Sequence, residues 1–98
     1  MSTNRCAPKN GARYIAESFK KLGVSHVFFM DAILRPTLVE MEELGINRIL
    51  AHSEKSAAYM ADGYARVSGR VGVCMAQSVG AANLAAGLQD AYLHRAPV

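Results

Sequence analysis

The sequence predicts an α/β domain: three layers, α/β/α, around a short parallel sheet of about three to four strands. Three observations carry this. Helical and strand periods alternate along the chain, the strand segments are short and largely apolar on both faces, and each is followed at once by a helix. From Asn10 to Leu22, apolar residues fall at Ala12, Ile15, Ala16, Phe19 and Leu22, one face of a helix that Asn10 caps and Gly23 ends. Val24 to Met30 is a β-branched and aromatic run of strand length. Pro36 suits the first turn of a second helix, Thr37 to Leu44, which Gly45 stops, and Ile46 to Ala51 reads as a second strand. Ser53 caps a third helix with Ala57, Ala58, Ala61, Tyr64 and Ala65 on its inner face, where small residues let the backbone lie close to a sheet; Ser68-Gly69 ends it. Val71 to Ala76 is the third strand. A glycine turn, Ser78 to Gly80, leads into a fourth helix with Leu84, Ala85, Leu88, Ala91 and Tyr92 inward. Pro97 closes that helix, and Val98 falls where a fourth strand is expected to begin.

Ninety-eight residues allow one small domain with a thin core. A hydrophobic content of 51% with 19% charged residues is that of a folded chain. Residues 1–9 are polar, contain Pro8 and lack the apolar centre of a secretory signal, so they read as a flexible arm on a cytoplasmic protein, with 10–98 as the domain. No apolar run approaches the ~20 residues of a membrane span. The net charge of +3 is spread from Arg5 to Arg95, without the patch or stripe of a nucleic-acid binder. Cys6 and Cys74 have no metal-ligand spacing, and Cys74, inside an apolar run, reads as core.

Right-handed crossovers place the loops after all three strands along one edge of the sheet, and ligands of open α/β sheets bind there. Any site is therefore expected from Asp31–Ala32, His52–Glu54 and Gln77–Asn83. Glu54 opens the third helix. An acid in a first turn is ordinarily structural, favoured by the helix dipole by ~0.3–1 kcal/mol. A carboxyl at a ligand edge can also share a proton with a bound base, and enclosure by Ala57, Ala58 and Met60 would raise its pKa for that task. In Gln77-Ser78-Val79-Gly80-Ala81-Ala82-Asn83, Gly80 and its small neighbours permit close approach of a ligand, and a helix N-terminus offers free N–H groups. The segment lacks G-x-G-x-x-G spacing and a P-loop lysine, and a tight connection alone accounts for it equally. His26 reads as a core or sheet-edge residue, and His94 as a helix-end residue. His52 alone shares an edge with Glu54. Lys20-Lys21 and Glu40, Glu42 and Glu43 read as solvated helix faces.

The stretch from Ala51 to Arg66, with Glu54, Ala57, Met60-Ala61-Asp62-Gly63-Tyr64-Ala65-Arg66, closely resembles the E-x-x-A-x-x-M-A-D-G-Y-A-R segment of thiamine-diphosphate-dependent enzymes of the acetolactate synthase and 2-oxoacid decarboxylase group. Gly69, Val71-Gly72-Val73, Ser78-Val79-Gly80-Ala81-Ala82-Asn83, Gly87-Leu88, Asp90-Ala91-Tyr92 and Pro97-Val98 continue the resemblance, which runs from about Gly11 to Val98. It implies the front part of the N-terminal, pyrimidine-binding domain. It further implies that Glu54 is the catalytic acid that hydrogen-bonds N1′ of the cofactor's aminopyrimidine and drives its amino group toward the imino form. That imine takes the thiazolium C2 proton, and the resulting carbanion attacks a 2-oxo acid. Ser78, Gly80 and Asn83 are implied as cofactor-binding with Glu54, near the subunit interface of family dimers. Mg²⁺ and the diphosphate are implied to sit on a second domain that this chain lacks.

Three positions depart from the family form. Phe29-Met30-Asp31-Ala32 replaces a G-x-P-G turn, Val79 stands for the usual proline, and Ser53 for the histidine before the glutamate. The expectations are therefore a piece of a 2-oxoacid decarboxylase or carboligase, inactive alone, that completes a thiamine diphosphate site in a homo- or hetero-oligomer. The alternative is a non-catalytic interaction module that keeps the scaffold and pairs through its open sheet edge with a partner chain. A nucleotide-binding half-domain is a third reading.

Overall fold

A computed structural model of the chain describes residues 10–30 and 34–98. The expected arm at 1–9, Cys6 and the Asp31–Ala32 loop lie outside the described residues. The elements follow in the expected alternation: α1 (Gly11–Lys21), β1 (His26–Phe29), α2 (Arg35–Glu43), β2 (Asn47–Leu50), α3 (Glu54–Ser68), β3 (Val73–Met75) and α4 (Gly80–Leu93). The caps form as the residue types dictate. Asn10 Oδ1 accepts the Arg13 N–H at 2.8 Å, and Ser53 Oγ accepts the Ser56 N–H at 3.0 Å. Gly69 ends α3 in the left-handed region, φ +73, where a side chain would strain the backbone.

All strand pairing is parallel, in the order β2-β1-β3, with Val27 level with Arg48 on one side and Val73 on the other. The central strand β1 divides its side chains between two cores by simple alternation. Val27 and Phe29 pack with Ala16, Leu38, Met41 and Ile46 under α1 and α2. Phe28 packs with Ala51, Ala57 and Ala61 under α3, which makes the third layer. Each such large side chain contributes about 1.5–3 kcal/mol on burial. The connection after β1 runs over one face and that after β2 over the other. Because the winding reverses at β1, the crevice at the carboxyl ends of β1 and β3 is where a ligand is expected.

The fourth helix leans on α3 rather than on the sheet. Glycine makes this approach possible, because a Cβ at Gly87 would lie 2.6 Å from Ala58 Cβ and 2.7 Å from Lys55 O. Gly72 is equally constrained, since a Cβ there would collide with the backbone carbonyl of Ala61 in α3. Gly72 N–H donates to Pro97 O at 2.8 Å, so the residues after α4 return to the amino end of β3.

Several expectations need correction. Leu22 and Tyr92, expected on inner faces, are 79% and 82% exposed, and Ala85 is exposed too. Leu84 and Ala91 do lie inward as expected, and Gly80 and Gly87 join them there, because a helix packed on another helix selects small residues at the line of contact. The second strand is not apolar on both faces. It is an edge strand, with Asn47, Arg48 and Leu50 exposed. Glu40 is no freely solvated acid: Arg13 reaches from α1 to Glu17 at 2.8 Å and to Glu40 at 2.9 Å, clamping α1 to α2. Those two carboxylates hold the Arg13 guanidinium protonated beyond its already high range.

Candidate functional site

Pairing between β1 and β2 extends to Ala51, whose N–H donates to Phe29 O at 2.8 Å, so the chain leaves the sheet at His52. Ser53 then caps α3, and Glu54 becomes its first residue, at the carboxyl edge of the sheet. Beyond β3, the turn Gln77–Gly80 reaches the same edge and starts α4. The two segments meet. Asn83 Nδ2–H donates to Glu54 Oε1 at 3.3 Å, across 29 residues of sequence. The carboxyl lies flat against Gly80, where a Cβ would come within 2.5 Å of Glu54 Oε2, 3.0 Å of Cδ and 3.1 Å of Cγ. Glu54 thus stands at the positive ends of two helices, its own and α4, which favour negative charge there.

Three of the four predicted site residues, Glu54, Gly80 and Asn83, are therefore brought together. Ser78, in the same turn, is exposed without a hydrogen bond to Glu54, and it carries the strain of the turn: its φ is +52, so the left-handed residue is the serine. Gly80 is required by contact with Glu54, and its φ is not positive. The expected free N–H groups are also absent from the start of α4. Gly80, Ala81 and Ala82 donate to the carbonyls of Gln77, Ser78 and Val79 at 2.9, 2.9 and 3.1 Å, which tightens the first turn. Ala57 and Ala58 are buried beneath the site, but Met60 is turned outward and does not enclose Glu54. His52 is exposed beside it.

Asp62 and Arg66, both within the motif, have a structural task that the sequence alone does not assign. Asp62 is buried and receives Arg66 Nε–H and Nη2–H at 2.7 and 3.2 Å, and Arg66 Nη2 also lies 3.7 Å from Asp90 of α4. The pair holds the two helices that carry Glu54 and Asn83. Its i,i+4 spacing was the available signal. Tyr64 turns to the opposite end of the sheet, where Ser25 Oγ lies 3.0 Å from its hydroxyl and 2.8 Å from His26 Nδ1. The Ser25 hydrogen bond lowers the Tyr64 phenol pKa. Gly63 faces open space, and nothing in the structure explains the glycine there. Among the described residues, no three His, Cys, Asp or Glu side chains gather to hold a metal, and no helix is long and apolar enough to cross a membrane.

A parallel sheet with a carboxylate, seated on a glycine and held by an amide, at its carboxyl edge has that carboxylate where open α/β domains take their ligands. The family model described as thiamine pyrophosphate enzyme, N-terminal TPP binding domain, matches residues 9–98, and the chain belongs to that family. The chain is similar to acetolactate synthase isozyme 2 large subunit of Escherichia coli, with 38% identity over 91 residues that cover 91% of the chain and 17% of that protein. It is 40% identical over 94 residues to an acetolactate synthase of Arthrospira platensis, covering 90% and 16%. Against the chloroplastic acetolactate synthase 1 of Oryza sativa it is 38% identical over 101 residues, covering 93% and 15%. The chain spans about a sixth of the length of these curated relatives.

Proposed function

We propose that residues 10–98 supply part of the pyrimidine-binding half of a thiamine diphosphate site in an acetolactate synthase-like 2-oxoacid decarboxylase or carboligase, with Glu54 as its catalytic acid. The observation that carries this reading is the seating of Glu54 against Gly80 and Asn83 at the ligand edge. The donor set suits a heterocyclic base better than a phosphate. A carboxylate accepts a hydrogen bond from a protonated ring nitrogen, whereas a phosphate needs orphan N–H groups, and those of Gly80, Ala81 and Ala82 are already taken. The nucleotide-binding reading loses support for the same reason.

Thiamine diphosphate, when bound, supplies a carbon nucleophile for the carbonyl of a 2-oxo acid. Glu54 holds a proton on its carboxyl and gives or takes it at the ring nitrogen of the aminopyrimidine. Gly80 leaves room for that carboxyl, and the Asp62–Arg66–Asp90 contacts keep α3 and α4 in register beneath it. The diphosphate and Mg²⁺ belong, in this proposal, to a second domain, and the interface between the two accounts for assembly as an oligomer. The test is Glu54→Gln in an enzyme carrying this domain. The variant keeps the size of the side chain and is expected to retain its circular dichroism while losing about 10²–10⁴-fold in 2-oxo acid turnover. Undiminished turnover would leave the non-catalytic interaction module as the better account.

A further inference from the structure

The contact between α4 and Glu54 is specific about which oxygen it uses. Glu54 Oε1 receives the Asn83 Nδ2–H, and among the described residues Oε2 receives no hydrogen bond. An ionised carboxylate only accepts hydrogen bonds, so the amide must face it with nitrogen rather than oxygen. When the carboxyl takes up a proton, the same N–H opposes an O–H on Oε1, donor against donor, and is fully compatible with an O–H on Oε2. Oε2 is also the oxygen that lies over Gly80. Asn83 is exposed and lies in the first turn of α4, so its side chain has no part in either core.

We propose that Asn83 is a positioning residue that pins Glu54 Oε1 and thereby makes Oε2 the oxygen that carries and exchanges the proton. The assignment rests on the functional reading above for what the proton is exchanged with, but the hold of Asn83 on the carboxyl is a property of this chain alone. It revises the expectation that Asn83 acts on the cofactor directly.

The experiment is heteronuclear NMR on the chain, following the Asn83 side-chain N–H resonances and the Glu54 carboxyl carbon through an acid titration. The Asn83 resonances are expected to move with the Glu54 carboxyl in the wild type and to lose that movement in Glu54→Gln. Asn83→Asp, of equal size but without a donor, is expected to shift the Glu54 carboxyl carbon with the backbone spectrum otherwise unchanged. Asn83 resonances that stay flat while Glu54 titrates overturn the proposal. A soluble aminopyrimidine, 4-amino-5-hydroxymethyl-2-methylpyrimidine, separates this from the functional reading. If the probe leaves Glu54 unmoved while the Asn83 coupling persists, the functional reading fails and the positioning stands. If the probe shifts Glu54 equally in wild type and Asn83→Asp, the positioning fails and the functional reading stands.

Discussion

Gly80→Ala separates the site from the fold. The added methyl would stand 2.5 Å from Glu54 Oε2, 3.0 Å from Cδ and 3.1 Å from Cγ. Non-bonded heavy atoms settle at about 3.5 Å, so the carboxyl must retreat by roughly 1 Å. The atoms it meets are the end of a flexible side chain, which can rotate away. Alanine at the first residue of a helix also recovers roughly 0.5–1 kcal/mol of the flexibility that glycine loses on folding. The unfolding free energy from urea titration is therefore expected to stay within about 1 kcal/mol of wild type. A catalytic group misplaced by about 1 Å costs on the order of 10² in rate. The assay is 2-oxo acid turnover by an enzyme carrying this domain, measured beside its unfolding curve. Loss of stability with full turnover would refute the argument, because it would mean that the methyl displaces the backbone and spares the carboxyl.

Gly87→Ala is the converse, since its Cβ meets Ala58 Cβ at 2.6 Å and the backbone of Lys55 at 2.7 Å. Helices must part, and about 1–3 kcal/mol of stability is expected to be lost, read as a drop in Tm of several degrees per kcal/mol. Ser78→Gly relieves a left-handed serine and is expected to raise stability by about 1 kcal/mol in the same unfolding assay. Burial pushes the Cys74 thiol up, so in a Cys6→Ser background it is expected to react with Ellman's reagent far more slowly when folded than in urea. The thiolate is disfavoured only in the folded chain. The Cys74 contribution to stability is therefore intact below the unfolded thiol pKa of about 8.5 and is lost as pH rises beyond it, which alkaline unfolding curves of wild type and Cys74→Ala check.

What could be read along the chain is whatever depends on near neighbours. Asn10 and Ser53 cap because a side-chain oxygen reaches an N–H three residues on, and the alternation through Val27, Phe28 and Phe29 assigns each to a face of the sheet. The same logic, with right-handed crossovers, put Glu54 and Asn83 at one edge without coordinates. What required the tertiary structure is whatever depends on how two distant segments approach. That Glu54 seats on Gly80, that α4 lies on α3 instead of the sheet, and that Tyr92 is consequently exposed are decided by helix–helix distance, to which hydrophobic period is blind. The sequence marked Gly80 and Gly87 as glycines. Only the packing shows that the first makes room for a carboxylate and the second for a backbone, because a missing Cβ acquires its meaning from the atom that occupies its place.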